Sequence, residues 1–309
     1  FMRTTLYFMR RLTFIFTAIL SFSSCKKEKE VFENNDPPPY EGISTLQIEN
    51  YVNRLFIDLI GREPLDTEMI EEVSVLEAGG LNAESRRFLI NKLQKNSDTI
   101  PGDSSYFIAY NKKLYEDTKA RLLEGVSDEF IGQKVNLYEA YAYADSINEN
   151  FLGYEINKAK ALRLKNIINS QYANRANDIT IQNLYALMLN NTIYDDINMN
   201  TFNFINASFD NLFYRFPTNA EFNQIFPIIE DNAPGQILGE VAQNKEEYLQ
   251  VLTANTEFKE GLVTWAFLSL LTREPFSNER FDLVNQFTDD NDLTEIQLRI
   301  LITDEYAGF

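Results

Sequence analysis

Three stretches of this chain share one spacing, Phe-x5-Arg-x-Pro-x3-Glu, and they superimpose without a gap. They are Phe56, Arg62, Pro64 and Glu68; Phe209, Arg215, Pro217 and Glu221; and Phe267, Arg273, Pro275 and Glu279. Agreement at four positions in three places, with the later copies 153 and 211 residues after the first, marks an internal repeat. A repeat confines the fold to copies of one supersecondary unit.

The proline cannot continue a helix that precedes it, but its fixed φ suits the first turn of the next one. Each copy therefore predicts a helix, a tight corner and a second helix, with the phenylalanine on the buried face of the first. In the second copy Thr218-x-x-Glu221 is a full capping box, in which hydroxyl and carboxylate satisfy the free N–H groups of a helix start. Leu65 and Phe276 stand at the Thr218 place in the other two copies, so Glu68 and Glu279 need another role. Ion pairs from Arg62 to Glu68 and from Arg273 to Glu279 would pin the corner. The alternative, favoured less by the recurrence of the corner, is that these arginine forks face a carboxylate ligand.

From Leu46 onward apolar residues recur at helical spacing, as in Val52, Leu55, Phe56, Leu59 and Ile60. The same reading predicts helices at about 105–124, 128–147, 154–170, 180–190, 201–214, 245–254 and 257–271, and finds little strand-like alternation. Gly125 follows one of these helices, and Ser127 and Thr180 can each cap the start of another. With 44% hydrophobic residues the chain can bury a sizeable core. The expected fold is all-α, a multi-helix domain over residues 45–309 with three helix-turn-helix corners, or two halves at about 45–175 and 176–309.

The single cysteine, Cys25, follows a segment that cannot be part of that domain. Met9 is a candidate start; then come Arg10 and Arg11, an apolar run from Leu12 to Leu20, and small residues Ser21, Ser23 and Ser24. This is the plan of a secretory signal over residues 1–24, too short to span a bilayer permanently. Ser23-Ser24-Cys25 resembles a bacterial lipobox of the looser Bacteroidota type, with Phe22 where leucine is usual. The resemblance implies acylation of Cys25, and at about 0.8 kcal/mol per buried methylene several chains would anchor the protein durably. Residues 25–44 pass through Lys26-Lys27-Glu28-Lys29-Glu30 and Pro37-Pro38-Pro39 and read as a flexible polar tether.

The segment Arg54-Leu-Phe-Ile-Asp-Leu-Ile-Gly-Arg-Glu-Pro-Leu-Asp-Thr-Glu68 resembles the "DLxGRxPtxxE" signature of helical domains of unknown function in planctomycete-type, cytochrome-associated proteins. It is also similar to the "LLGRePd" segment of a bacterial extracellular helical domain. The likeness covers about residues 46–95. A second echo at 262–309 ends in Leu298-Arg-Ile-Leu-Ile-Thr-Asp-Glu-Tyr306. It implies exported helical modules without an established activity. The cytochrome part has no counterpart, since no CxxCH is present.

Composition excludes several chemistries. Without histidine there is no Ser-His-Asp or Cys-His arrangement, no HExxH zinc site and no c-type haem ligand. The formal charge of −18 becomes −21 once Arg3, Arg10 and Arg11 leave with the signal, and such a body repels nucleic acid. The acidic run Asp289-Asp290-Asn291-Asp292 with Glu295 lacks the spacing and glycine of a calcium loop and reads as capping of the last helix. Trp265 reads as core, and Tyr138, Tyr141 and Tyr143 as part core, part surface. The expectation is an outer-membrane lipoprotein, with the cell surface favoured over the periplasmic face, that needs no cofactor or metal. It would act as a non-enzymatic binding or scaffold subunit for an outer-membrane protein, or alternatively in surface capture of a small molecule or glycan for import. A carboxylate pair acting on sugars ranks third.

Overall fold

Residues 42–102, 104–290 and 293–309 are described by a computed structural model. The expected signal segment, Cys25 and the expected tether as far as residue 41 lie outside the described residues, as do Asp103, Asn291, Asp292 and the side chains of Thr288, Asp289 and Asp290.

The first helix, α1 (Thr45–Ile60), shows why the sequence turns helical here. Ser44 caps it reciprocally with Gln47: the Ser44 backbone N–H donates to the Gln47 carboxamide oxygen at 3.0 Å, and the Gln47 N–H donates to the Ser44 hydroxyl at 3.3 Å. Ile48, Tyr51, Val52, Leu55, Phe56, Leu59 and Ile60 form its buried stripe. The helix ends at Gly61, whose φ of 82° lets its N–H turn back to the carbonyls of Phe56 and Ile57.

Fourteen more helices follow among the described residues. After the first corner come α2 (Asp66–Ala78), α3 (Ala83–Lys95) and α4 (Tyr106–Leu122). A long antiparallel pair follows, α5 (Asp128–Ile147) and α6 (Phe151–Arg175), then α7 (Ile181–Leu189), α8 (Thr192–Asn198) and α9 (Thr201–Phe213). The second corner leads into α10 (Asn219–Glu230), a strand pair β1 (Gly235–Ile237) and β2 (Glu240–Ala242), and α11 (Lys245–Ala254). The chain closes with α12 (Thr256–Leu271), the third corner, α13 (Ser277–Asp290), α14 (Leu293–Leu301) and α15 (Asp304–Ala307). The fold is all-α, as the periodicity implies, and residues Ile43–Phe309 form one compact unit.

Most expected stretches recur with small shifts, and α5 and α11 keep their expected bounds. Ser127 and Thr180 cap α5 and α7, each accepting an N–H three residues on. Helix α6 is longer than expected because Asn150 caps it, accepting the Gly153 N–H at 3.2 Å, so the helix starts at Phe151. The strand pair was not expected. It is joined by Leu238 and Gly239, with φ of 53° and 89°, a two-residue turn whose positive φ values match the twist of antiparallel strands.

One buried cluster runs from Ile48 to Ala307, and the end of the described chain packs against its beginning. The Tyr51 hydroxyl donates to the Leu301 carbonyl at 3.1 Å, and the Tyr306 hydroxyl to Asp58 at 2.7 Å. Arg86, nearly buried, donates to the Leu81 and Ile302 carbonyls and to Asp304 at 2.9, 2.7 and 2.6 Å. It thereby ties α3 to α15.

All three corners open on a left-handed residue: Gly61 at φ 82°, Tyr214 at 57° and Thr272 at 56°. Only glycine adopts this region without cost. A Cβ at Gly61 would also lie 3.1 Å from Lys113 Cδ. Gly61→Thr is therefore expected to lower unfolding free energy by about 1–2 kcal/mol, read as a drop in the urea midpoint at unchanged slope.

Candidate functional site

The repeated residues build one constellation three times. Arg62 grips Glu68 with both Nη atoms, at 2.7 and 2.9 Å. Arg215 holds Glu221 at 3.0 and 2.8 Å, and Arg273 holds Glu279 at 2.9 and 2.8 Å. In each copy Nη1 also donates to the carbonyl of the next residue, Glu63, Phe216 or Glu274, at 2.9–3.2 Å. Each guanidinium lies over the phenylalanine of its motif: Phe56 at 5.6 Å, and Phe209 and Phe267 at 5.0 Å. Each glutamate accepts the backbone N–H of Leu65, Thr218 or Phe276 at 2.7 Å. The carboxylate half of the capping box thus persists where no hydroxyl supplies the other half. Planar two-point pairing of this kind belongs to arginine rather than lysine.

Two further carboxylates join the corners. Glu257 accepts from Arg215 Nε at 2.6 Å and Nη2 at 2.9 Å, and Glu305 accepts from Arg273 Nε at 2.6 Å and Nη2 at 2.7 Å. Both stand at the second position of a helix, behind the caps Asn255 and Thr303, and each precedes a buried aromatic, Phe258 or Tyr306. In the first corner the Tyr106 hydroxyl also donates to Glu68, at 2.7 Å.

The charges respond accordingly. The hydrogen bonds from Arg215 depress the Glu221 carboxyl to about 2 from 4.5. For Glu68, burial pushes the pKa up, but the bonds from Arg62, Tyr106 and Leu65 outweigh it and hold it low. Arg273 lowers both Glu279 and Glu305. Burial has the opposite result at Asp58 and Glu72, which it raises.

The other residues singled out in the sequence do not converge with these. Trp265 is partly buried and packs against the core. Tyr138 is half-buried beneath Lys160, whereas Tyr141 and Tyr143 are exposed. Glu295 pairs with Arg299 at 3.0 Å along α14. Among the described residues no group of His, Cys, Asp or Glu could hold a metal ion, and no helix is long and apolar enough to cross a membrane.

A different arrangement, not singled out in the sequence, forms an open groove. Helices α6, α7 and α11 enclose a groove of about 530 Å³. Five carboxamides line it: Asn166 and Asn169 on α6, Asn183 on α7, Asn190 just after α7, and Gln250 on α11. The side chains of Asn166, Asn169, Asn190 and Gln250 make no hydrogen bond to the rest of the described protein. Ala173, Ile179, Ala186, Leu187 and Leu249 supply an aliphatic lining, and Glu246 is the one charged lining residue. A neighbouring groove of about 670 Å³ shares Asn190, Glu246 and Gln250 and adds Arg163 and Lys245. Burial lowers the Lys245 ammonium pKa, which sits 4.3 Å from the Phe204 ring centroid. Asn183 lies on α7 and Asn190 just past its end, but the convergence of three distant helices carries no local sequence signal.

No family model, curated protein or solved structure matches this chain.

Two outcomes follow from the corners. Glu68 is nearly buried and Glu279 more exposed, so the same substitution should cost more at the first. Glu68→Gln is expected to lose about 2–3 kcal/mol and Glu279→Gln about 1 kcal/mol, between the values for buried and surface pairs, in urea titrations at pH 7. A carboxyl whose folded pKa is depressed contributes stability above its unfolded value and loses it as pH falls through the folded one. Stability carried by Glu221 is therefore present above about pH 4.5 and lost toward about pH 2. Glu221→Gln should flatten the fall in thermal midpoint across that window.

Proposed function

We propose that this chain is a cell-envelope lipoprotein, held at the outer membrane by acyl chains on Cys25, that acts as a non-enzymatic binding or scaffold subunit for an outer-membrane protein. The observation that carries this reading is the carboxamide groove between α6, α7 and α11. A carboxamide pairs one acceptor with two N–H donors, so it can answer the C=O and the N–H of a peptide bond together. Aliphatic floor residues such as Leu187 and Leu249 suit apolar side chains of a partner segment. The arginines and glutamates of the three corners support the non-enzymatic part, because they are engaged with one another and with backbone rather than turned toward a cleft. The likeness to exported helical modules and the lipobox-like Ser23-Ser24-Cys25 support the placement, with the cell surface favoured over the periplasmic face.

One observation favours the alternative, capture of a small molecule or glycan for import. A groove of about 750 Å³ along α5 and α6 is flanked by Tyr143 and Tyr154, with Lys158 and Lys165 beside them, and aromatic faces with polar edges suit sugar rings. The carboxamide groove has no aromatic among its lining residues, which favours a protein segment there.

The test is a pull-down from detergent-solubilised outer membrane with the acylated chain. We expect recovery of an outer-membrane protein whose yield falls at least about five-fold in the double variant Asn169→Ala, Asn190→Ala, about 1 kcal/mol or more of lost hydrogen bonding. Recovery of the bait alone would remove the protein-binding reading, and an unmodified Cys25 in the mass spectrum of the mature protein would remove the placement.

A further inference from the structure

Another groove, of about 490 Å³, opens where α3, α4 and α6 meet the start of α7, within the size range of sites that hold a small ligand. Its charge sets it apart. The carboxamide groove and its neighbour are lined by Glu246, and the groove along α5 and α6 by Glu139 and Glu155. Here the charged lining residues are Lys95 and Arg175, with no carboxylate among them, in a chain of net −18. Neither cation makes an ion pair with the described residues; Arg175 lies over the Tyr172 ring at 5.4 Å. Both stand in the last turn of their helices, α3 and α6, where the macrodipole draws a cation without pairing it. Thr180 and Ile181 bring the N-terminal end of α7 to the same lining, and that end of a helix is positive as well. Side-chain charge and helix dipole together favour an anion in this groove.

A buried side chain narrows the kind of anion. Gln94 lines the groove and is 1% exposed. Its Nε2 donates to the Thr294 carbonyl at 3.2 Å, which fixes the other end of the carboxamide as an acceptor, and that Oε1 has no hydrogen-bond partner. Buried polar atoms are nearly always satisfied, so this one calls for a donor carried by the ligand. Phe107, Leu114 and Ile181 add apolar lining. Inorganic phosphate has no apolar part, and a fatty acid has no N–H. The last residue of a polypeptide carries all three groups: a carboxylate that suits an arginine fork and an ammonium, an amide N–H beside it, and a side chain. Capture of a terminal carboxylate is a recurrent mode of peptide recognition.

We propose that this groove binds the carboxyl terminus of a polypeptide whose last side chain is apolar, with Lys95 and Arg175 on the carboxylate and Gln94 Oε1 accepting the last amide N–H. The proposal is independent of the carboxamide groove and of what that groove binds.

The experiment is calorimetric titration of the full chain in detergent, at pH 7 and low salt, with acetyl-alanyl-alanyl-leucine. The free acid is expected to bind, and the same peptide closed as its C-terminal amide to bind at least about ten-fold more weakly, since the charge-assisted bonds are lost. Lys95→Gln and Arg175→Gln should each weaken the acid about five-fold and leave the amide unchanged. Lys112→Gln, at an exposed cation outside the groove, should alter neither. Replacing the last N–H of the peptide by an ester oxygen should weaken binding about five-fold in the wild type and not at all in Gln94→Met, which has no acceptor to lose. If Gln94→Met does not fold, the two charge variants decide. A wild-type chain that ignores the peptide, or binds acid and amide alike, overturns the proposal. So does inorganic phosphate or octanoate that binds as tightly as the peptide, which would assign the groove to another anion.

Discussion

The fork between arginine and glutamate at each corner is the interaction around which the rest is arranged. It joins the end of one helix to the start of the next, which are otherwise separated by a proline that breaks backbone hydrogen bonding. One guanidinium answers a carboxylate, a main-chain carbonyl and an aromatic face together, so a single side chain replaces several contacts that an unbroken helix would have made. The three copies differ in depth. The first encloses its glutamate most deeply and adds the Tyr106 hydroxyl to it; in the second and third, Glu257 and Glu305 also accept from the arginine.

That second carboxylate gives the repeat its direction. Glu257 belongs to the helix that opens the third unit, yet it completes the corner of the second. Glu305 completes the third corner from α15, whose Tyr306 reaches Asp58 on α1. The units are therefore linked by charge as well as by apolar contact, in the manner of repeat folds whose neighbours supply one another's missing faces.

The corners were legible because their chemistry is local: Phe, Arg, Pro and Glu lie within thirteen residues of each other. Helix identity was legible for the same reason, as apolar spacing and cap residues such as Ser127 and Thr180 act within a turn or two. Other features depended on distance. The aromatic after Glu305 belonged to a recognisable ending, but its counterpart Glu257-Phe258 carried no such frame, and its partner Arg215 lies 42 positions away. Tyr214 and Thr272 hide their left-handed backbone because neither is glycine; only Gly61 is of the residue type that suits it. The carboxamide groove draws on α6, α7 and α11, and no pattern along one helix shows that three of them will meet. Exposure along the α5–α6 hairpin was equally hidden, because apolar residues such as Leu137 and Leu152 carry no local sign that they end at the surface.

Arg215 and Glu257 form a two-point ion pair across the boundary between neighbouring units, and this bears on how the protein can be divided. A proteolytic cut or an evolutionary break between α11 and α12 would separate a cation from its anion and also leave Phe258 without the α7 Tyr185 ring it meets at 5.2 Å. Modular in its pattern, the chain is indivisible at that seam: the second and third units are expected to melt together, and a gene fusion or truncation would have to respect them as a pair.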